Sequence, residues 1–467
     1  MTTSTVSRRA GQRSTRPAAG GPAGRRTAPR VGVVGTGYLG ATHAAAMAEL
    51  GFEVMGVDVD PAKVDALAAG KVPFFEPGLP ELLQRHTESG RLRFTTDLAE
   101  AAAWADVHFV CVGTPQRATS HAADLSYVEA AVTGIARHLD HDALVVGKST
   151  VPVGTAARLR EMLGTLVPAD RRVELVWNPE FLREGKAVHD TLHPDRIVLG
   201  GVSEEAEATL RLLYSRPIAE GAPVIVADLP TAELVKVSAN AFLATKISFI
   251  NAVAAVCDAA GADVTVLADA LGHDGRIGRQ FLDAGLGFGG GCLPKDIRAL
   301  MHRARELGAH RAASLMQEVD EINMAQRGRV VAMAVDACGG SVLNRRVGVL
   351  GAAFKPGTDD VRDSPALNVA AALHLQGAQV TVYDPEAGDT GRRTFPTLAF
   401  ATSTEEAVEN TDVVLVLTEW DAFADADPGP LAHLTSTPRV IDGRGRLDLE
   451  RWRTAGWEAN GLGRSAA

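Results

Sequence analysis

Cysteine is scarce in this chain. Four occur in 467 residues (Cys111, Cys257, Cys292 and Cys338), none in the paired spacing of a zinc site and too few for a disulfide-stapled secreted scaffold. The expectation is a protein that works reduced, in the cytoplasm, with no metal site. Aromatic residues are sparse at 5%, and no uninterrupted apolar run reaches the roughly 20 residues that span a bilayer, so no membrane segment is expected. Acid is missing from residues 1–30, which carry seven Arg. That stretch has no hydrophobic segment after Arg8 and Arg9, which excludes a secretory signal, and residues 1–29 read as a disordered basic tail. Since the whole chain has net charge −10, everything after the tail is more acidic than the total. Such a surface repels phosphate backbones, so no nucleic-acid partner is expected.

What is present is the text of an ordinary globular protein, 46% hydrophobic and 22% charged, long enough for two or three domains. From Val31, short β-rich runs ("RVGVVG", "FEVMGVDVD", "DVHFVCVGTP", "ALVVGKSTV", "VELVWNPEF") alternate with helical stretches, the pattern of a parallel sheet wrapped by helices. Near Leu229 the register changes to about 30 residues of helical periodicity, with Pro near the start and Gly261 at the close. The β/α pattern returns near Arg345 with "RVGVLGAAF", "QVTVYDP", "DVVLVLTEW" and "RVIDGRG". The fold class is therefore α/β, with two Rossmann-like doubly wound domains joined by a helical central domain containing a long helix. The expected boundaries are 30–215 for the N-terminal domain, 216–330 for the central one and 331–455 for the C-terminal one, with 456–467 as a tail. The apolar circumference of the long helix is wider than one domain needs to cover, which suggests a homodimer or a higher homo-oligomer.

Gly35, Gly37 and Gly40 in "VGVVGTGYLG" have the G-x-G-x-x-G spacing between a strand and a helix. The first permits a tight turn, the second lets backbone approach a pyrophosphate, and the third lets helix pack on strand, with the helix N-terminus facing the phosphates. Asp58 closes the next strand eighteen residues later, where an acid bonds a ribose 2′-hydroxyl and repels a 2′-phosphate. NAD is the expected cofactor. The second Rossmann-like start, "GVLGAAFKPGTDD", lacks the glycine spacing and carries Lys355 after its turn, a cation that suits the phosphate of a substrate's nucleotide or lies idle at the surface.

"GLGFGGGCLPKD" sets Cys292 after five glycines and just before a helix whose first turn holds Pro294. A helix N-terminus favours thiolate over thiol. A lone cysteine is more often structural, but beside an NAD site it suggests a definite chemistry: an alcohol is oxidised to an aldehyde, the sulfur captures it, and a second oxidation gives a thioester that water cleaves. Lys236 and Asn240, four apart, share one face of the long helix. Glu180 and Asp296 are the candidate acid/base carboxylates, although Lys236 as a solvated lysine and Asp296 as a first-turn acid are the plainer readings of those two residues alone.

From about Arg30 to Arg446 the sequence resembles the nucleotide-sugar dehydrogenases, the UDP-glucose/GDP-mannose dehydrogenase family. The motifs that carry the likeness are "VGTGYLG", "KSTVPVGT", "NPEFLREG", "HPDRIVLG", "AELVKVSANAFLATKISFIN", "RIGRQFL", "GFGGGCLPKD", "FKPGTDDVRDSP" and "DGRGR". The resemblance implies a four-electron oxidation of UDP-glucose to UDP-glucuronate with two NAD, and a dimer built on the long helix. It also implies roles: Cys292 as nucleophile, Lys236 stabilising developing oxyanions, Asn240 assisting, and Asp296 with Glu180 and a Thr150-bound water as the hydrolytic apparatus. For NAD it implies Gly35, Gly37, Tyr38, Leu39, Gly40, Asp58, Lys63, Thr114, Ser149, Thr150, Glu184, Lys295 and Arg362. For the sugar nucleotide it implies Glu180, Phe181, Leu182, Lys236, Asn240, Phe281, Gly289, Phe354, Lys355 and Arg444, with Arg276 arriving from a partner subunit. Leu39 and Gly291 stand where the family usually has Val and Ser. A GDP-mannose 6-dehydrogenase, a UDP-N-acetylmannosamine dehydrogenase, a simple two-electron dehydrogenase and a silent nucleotide-sugar-binding protein are the alternatives.

Overall fold

The computed structural model describes residues 28–118 and 120–464. All but the last two residues of the basic stretch 1–29 lie outside them. Two sheets form, and each reads directly from apolar text. β1 (Val31–Val34), β2 (Val54–Val57) and β4 (Val107–Val110) are each buried at all four positions, as strands covered on both faces must be. With β3 (Leu92–Thr95), β5 (Ala143–Gly147), β6 (Val173–Trp177), β7 (Ile197–Gly200) and β8 (Val224–Ala227) they make an eight-stranded sheet in the order β3-β2-β1-β4-β5-β6-β7-β8. Pairing is parallel except at β6–β7, where Trp177 meets Gly200 antiparallel.

The second sheet contains β9 (Arg346–Leu350), β10 (Gln379–Tyr383), β11 (Ala399–Phe400), β12 (Val413–Val416), β13 (Arg439–Asp442) and β14 (Glu458–Gly461). Its order, β11-β10-β9-β12-β13-β14, repeats the first six positions of the other sheet. In both, the order reverses beside the first strand of the sheet, and the crevice for a ligand opens there at the carboxyl ends. The expected α/β class with two doubly wound sheets and a helical middle is what the chain adopts.

Between the sheets runs the Leu229–Ala260 helix. Asp228 caps it by accepting from the Thr231 amide at 2.7 Å, Pro230 sits in its first turn, and Gly261 ends it with φ +70°. By length and composition this helix could cross a bilayer, with an 18-residue window of mean hydropathy 1.4, although Glu233, Lys236, Lys246 and Asp258 interrupt it and no unbroken apolar run of that length occurs. Here it lies within the protein and buries Glu233, Lys236 and Asn240, groups that need polar partners. Helices Leu293–Glu306 and His310–Ala337 pack against it, with Ala241 and Ala244 meeting Ile297, Met301 and Met316.

Three boundaries drawn from the sequence differ from these elements. The first sheet continues past 215 to gain β8, the His310–Ala337 helix runs through 330, and the stretch read as a tail from 456 contains β14. Trp457 anchors that last strand by packing edge-on against Trp452 at 4.8 Å, both buried.

Glu233 ties the long helix to the first sheet. Its carboxylate accepts from the Gly154 amide at 2.7 Å and the Ala156 amide at 2.6 Å, capping the Thr155–Leu166 helix in place of the side chain that Gly154 lacks. Glu233→Ala leaves both donors unsatisfied, and urea unfolding should show a loss of about 2 kcal/mol. A loss below about 0.5 kcal/mol would mean that water satisfies them equally well.

Candidate functional site

The crevice of the first sheet is built by its glycines. Gly35 follows β1 with φ +88°, and a Cβ there would lie 2.8 Å from Val112 Cγ1; a Cβ on Gly40 would lie 1.7 Å from the Gly35 carbonyl oxygen. The Gly37 position faces open space, and it caps the Tyr38–Glu49 helix with bare backbone, so amides are presented where a pyrophosphate would rest. Leu39 packs beneath, on the core. Asp58 lies at the end of β2, accepting from the Thr36 amide at 2.9 Å and from Lys63 Nζ at 2.9 Å. Burial pushes its carboxyl up, but Lys63 and the Asp60 and Thr36 amides outweigh this and hold it below the usual range. An anionic acid at this position suits a ribose hydroxyl.

The loops after β4 and β5 close the crevice. Thr114 Oγ1 donates to the Thr150 carbonyl at 2.8 Å, and Ser149 Oγ to the Val112 carbonyl at 2.6 Å. Thr114, Thr150, Lys295 and Asp296 line one small cavity, so the cofactor side and the cysteine helix share a wall. Sequence reasoning missed Glu76. It is buried, accepts from the Gly185 and Ala187 amides at 2.7 Å each, and takes a very short hydrogen bond from the Tyr38 hydroxyl. It thereby fixes the loop that carries Glu184. No spacing marks this acid, because its partners are distant in sequence.

Cys292 stands immediately before the Leu293–Glu306 helix, as expected, at the edge of the cleft with part of its surface exposed. One turn on, Asp296 is buried, accepting from Asn240 Nδ2 at 2.7 Å and Lys295 Nζ at 2.5 Å. Lys236 pairs with Glu180 at 3.0 Å, and Glu180 also accepts from the Leu182 amide at 2.7 Å. Lys236 and Asn240 are 6% and 8% exposed, which overturns the solvated-lysine reading. Burial alone would push the Lys236 ammonium down, yet the Glu180 and Asp296 carboxylates hold it above its ordinary value.

The same carboxylates reverse the thiolate expectation. Desolvation in the cleft and the charge of Asp296, with smaller contributions from Glu180 and Glu184 and opposed by Lys295, push the Cys292 thiol up to about 12. The helix end is outweighed, and in the free protein the sulfur keeps its proton.

The second sheet supplies the far wall. Lys355 Nζ donates to the Glu184 carbonyl at 2.5 Å, and Arg362 pairs with Glu184 at 3.1 Å and Asp360 at 2.7 Å. Burial and the Asp360 charge raise the Glu184 carboxyl to about 7, and its buried Oε2 has no hydrogen-bond partner among the described residues. A Cβ at Gly291 would lie 2.4 Å from the Arg362 guanidinium carbon, so the glycine that replaces the family's serine gives its space to that arginine. Phe354 lies against Gly290, where a Cβ would come within 2.8 Å of its ring, and Gly289 is pressed against the Asp363 carbonyl. Arg444 donates to the carbonyls of Gly287 at 2.8 Å and Phe354 at 3.2 Å, held by the buried Asp442 that accepts from its amide. Phe181 is stacked under the Arg196 guanidinium at 3.8 Å, with Leu182 beside it in the same turn. Phe281 is partly exposed in the left-handed region at φ +65°. Arg276 is not brought to this cleft: its exposed guanidinium pairs with Asp274 at 2.6 Å.

Asp384 of the second sheet repeats Asp58, accepting from the Ala352 and Ala353 amides at 2.7 and 2.9 Å, but the Trp420 indole N–H occupies it at 3.1 Å. The second crevice is thus closed to a ribose at that acid, and the cofactor fits the first.

Comparison with known proteins agrees with this division. Residues 29–218 match the NAD binding domain, 230–325 the central domain and 348–449 the UDP binding domain of the UDP-glucose/GDP-mannose dehydrogenase family. UDP-glucose 6-dehydrogenase TuaD of Bacillus subtilis is 41% identical over 438 residues, 94% of each chain. The UDP-glucose 6-dehydrogenase of Rhizobium meliloti is 40% identical, over 93% of this chain and 99% of its own. The solved UDP-glucose dehydrogenase of Pyrobaculum islandicum superposes with a TM-score of 0.87 at 36% identity, covering 96% of this chain and all of that one. With its three regions matched in order, its glycine fingerprint in place and NAD as its cofactor, the chain belongs to the UDP-glucose/GDP-mannose dehydrogenase family.

Proposed function

We propose that the protein oxidises UDP-glucose to UDP-glucuronate in two NAD-dependent steps, with Cys292 carrying the sugar between them. The observation that supports this reading best is the setting of Cys292: an accessible sulfur between the two crevices, facing the Lys236–Glu180 pair, with the Asn240–Asp296–Lys295 cluster one turn behind it. NAD held in the first crevice by the Gly35–Gly40 turn and Asp58 would supply the hydride acceptor that both oxidations at C6 need. Lys236, cationic and buried, stabilises the oxygen at C6 as it sheds its proton, and again when the sulfur adds to the aldehyde. On that addition the S–C bond forms and the thiol proton leaves to a cleft carboxylate, giving a thiohemiacetal. Its oxidation yields a thioester. Water held near Thr150 then attacks the carbonyl carbon, a water proton passes to Glu180 or Asp296, and the C–S bond breaks with its electrons on sulfur. Asn240 and Lys295 hold Asp296 in place throughout.

On this reading Asp58 and Lys63 bind the adenosine ribose, and Glu184, Arg362, Ser149 and Thr114 seat the nicotinamide half. Phe181, Leu182, Gly289, Phe281, Phe354, Lys355 and Arg444 hold the sugar nucleotide. The working unit is a cytoplasmic homodimer. Phe242, Phe249 and Val256 recur every seven residues on the long helix and are all more than half exposed, an apolar stripe that a second copy would cover. Arg276 then reaches the partner's sugar site.

Purified protein supplied with NAD and UDP-glucose should form two NADH per sugar consumed. A ratio of one, or turnover confined to GDP-mannose or another nucleotide sugar, would refute the assignment. Phe249→Asp should convert the dimer to monomers in sedimentation velocity; an unchanged assembly would remove the long helix from the interface.

A further inference from the structure

The motif "KSTVPVGT" places Ser149 and Thr150 beside the cofactor, but its first residue takes no part in the chemistry described so far. Lys148 follows β5 and is 7% exposed. Its Nζ donates to Asn178 Oδ1 at 3.1 Å and to the Tyr214 hydroxyl at 3.3 Å, and Tyr214 donates to the same Asn178 oxygen at 2.7 Å. Asn178 is fixed in turn by donating to the Val198 carbonyl at 2.8 Å. The ammonium also lies over the rings of Phe109 and Tyr214 at 5.9 and 5.8 Å. All its partners are neutral, and among the described residues no carboxylate forms an ion pair with it.

A buried charge without a counter-ion is costly, and a methionine would fill the same space without that cost. Charge held by neutral partners also keeps its field, which a salt bridge would consume locally. That field falls on Glu180. Lys148 and Glu180 line the same cavity of about 50 Å³ with the Pro179–Leu182 turn, large enough for water and lined also by Asp195 and Arg196. The other titratable groups around Lys148 do not compete. Burial pushes the Cys111 thiol up to about 12, raises the Tyr214 phenol still further and holds the His43 imidazole well below its ordinary value, so all three stay neutral. Lys236, on the far side of Glu180, carries the same sign as Lys148. Asp190, at the cavity's edge, is engaged by Arg183 at 2.6 Å.

We propose that Lys148 is a positioning residue for the hydrolytic half of the reaction, its ammonium facing Glu180 across their shared cavity while Lys236 serves the reacting oxygen in front. The role rests on the two-step oxidation proposed above. In the step it serves, the water oxygen bonds to the thioester carbon, one water proton goes to Glu180, and the C–S pair returns to sulfur, which is reprotonated. Without Lys148 the proton acceptor depends on Lys236 alone, whose charge is shared with the developing oxyanion. Burial already lowers the Lys148 ammonium to about 8, so the site holds its charge at neutral pH with little to spare.

Lys148→Met keeps the stem and removes the charge. It should lower kcat about tenfold or more, leave KM for NAD and UDP-glucose within about twofold, and let the Cys292-linked acyl enzyme accumulate during turnover, read as an intact mass after acid quench. Asn178→Asp is the second variant: it leaves the lysine in place and neutralises it, and should give the same accumulation. Both variants turning over at the wild-type rate without adduct, or losing the first NADH burst as severely as steady-state turnover, would overturn the role. Counting NADH with the wild-type protein separates the two readings. A ratio other than two overturns both, whereas a ratio of two with silent variants overturns only that of Lys148.

Discussion

The hydrogen-bonded Asp296 carboxylate is the constraint on which the cleft depends. It is buried one turn beyond Cys292, clamped by Asn240 from the long helix and by Lys295 from its own. The Asn240 contact locks the cysteine helix to the Leu229–Ala260 helix, and that helix is in turn fixed to the first sheet through Glu233. The negative charge so placed also acts on the sulfur. Desolvation in the cleft is the largest influence raising the Cys292 thiol, and this charge, with smaller contributions from Glu180 and Glu184, adds to it.

The two sheets are copies of one plan put to different uses. Asp58 and Asp384 occupy matching strand ends and accept amides from matching turns. Around Asp58 the glycines leave open backbone, and Lys63 is the side-chain cation beside it. Around Asp384 the turn is "GAAF", and Trp420 closes the acid. Lys355 leaves the second sheet altogether and reaches the Glu184 carbonyl, so the second crevice faces the first across the cleft rather than holding a dinucleotide of its own.

The legible parts of the sequence were those whose geometry is local. Gly35, Gly37 and Gly40 act within one turn, and Cys292 and Pro294 within the start of one helix, so spacing sufficed. The thiolate reading of Cys292 failed because the desolvation of the cleft and the burial of Asp296 exist only once the domains have packed, with Glu180 and Glu184 adding to them from another domain. Glu76 and Lys148 were passed over for the same reason, their partners lying far off in the chain. The strands β8 and β14 are edge strands, and β14 reads "EANG", a sequence with little strand character that is held by Trp457 and by its pairing with β13. The burial of Lys236 and Asn240 followed from their shared helix face only once the neighbouring helices were in place.

The central claim, that desolvation in the cleft and the charge of Asp296 raise the Cys292 thiol in the ligand-free protein, is open to direct measurement. The rate of Cys292 alkylation by iodoacetamide, followed by peptide mass spectrometry across pH in the ligand-free protein, should climb steadily with pH and show no plateau below about pH 11. A plateau reached near neutral pH would show a standing thiolate and contradict the account.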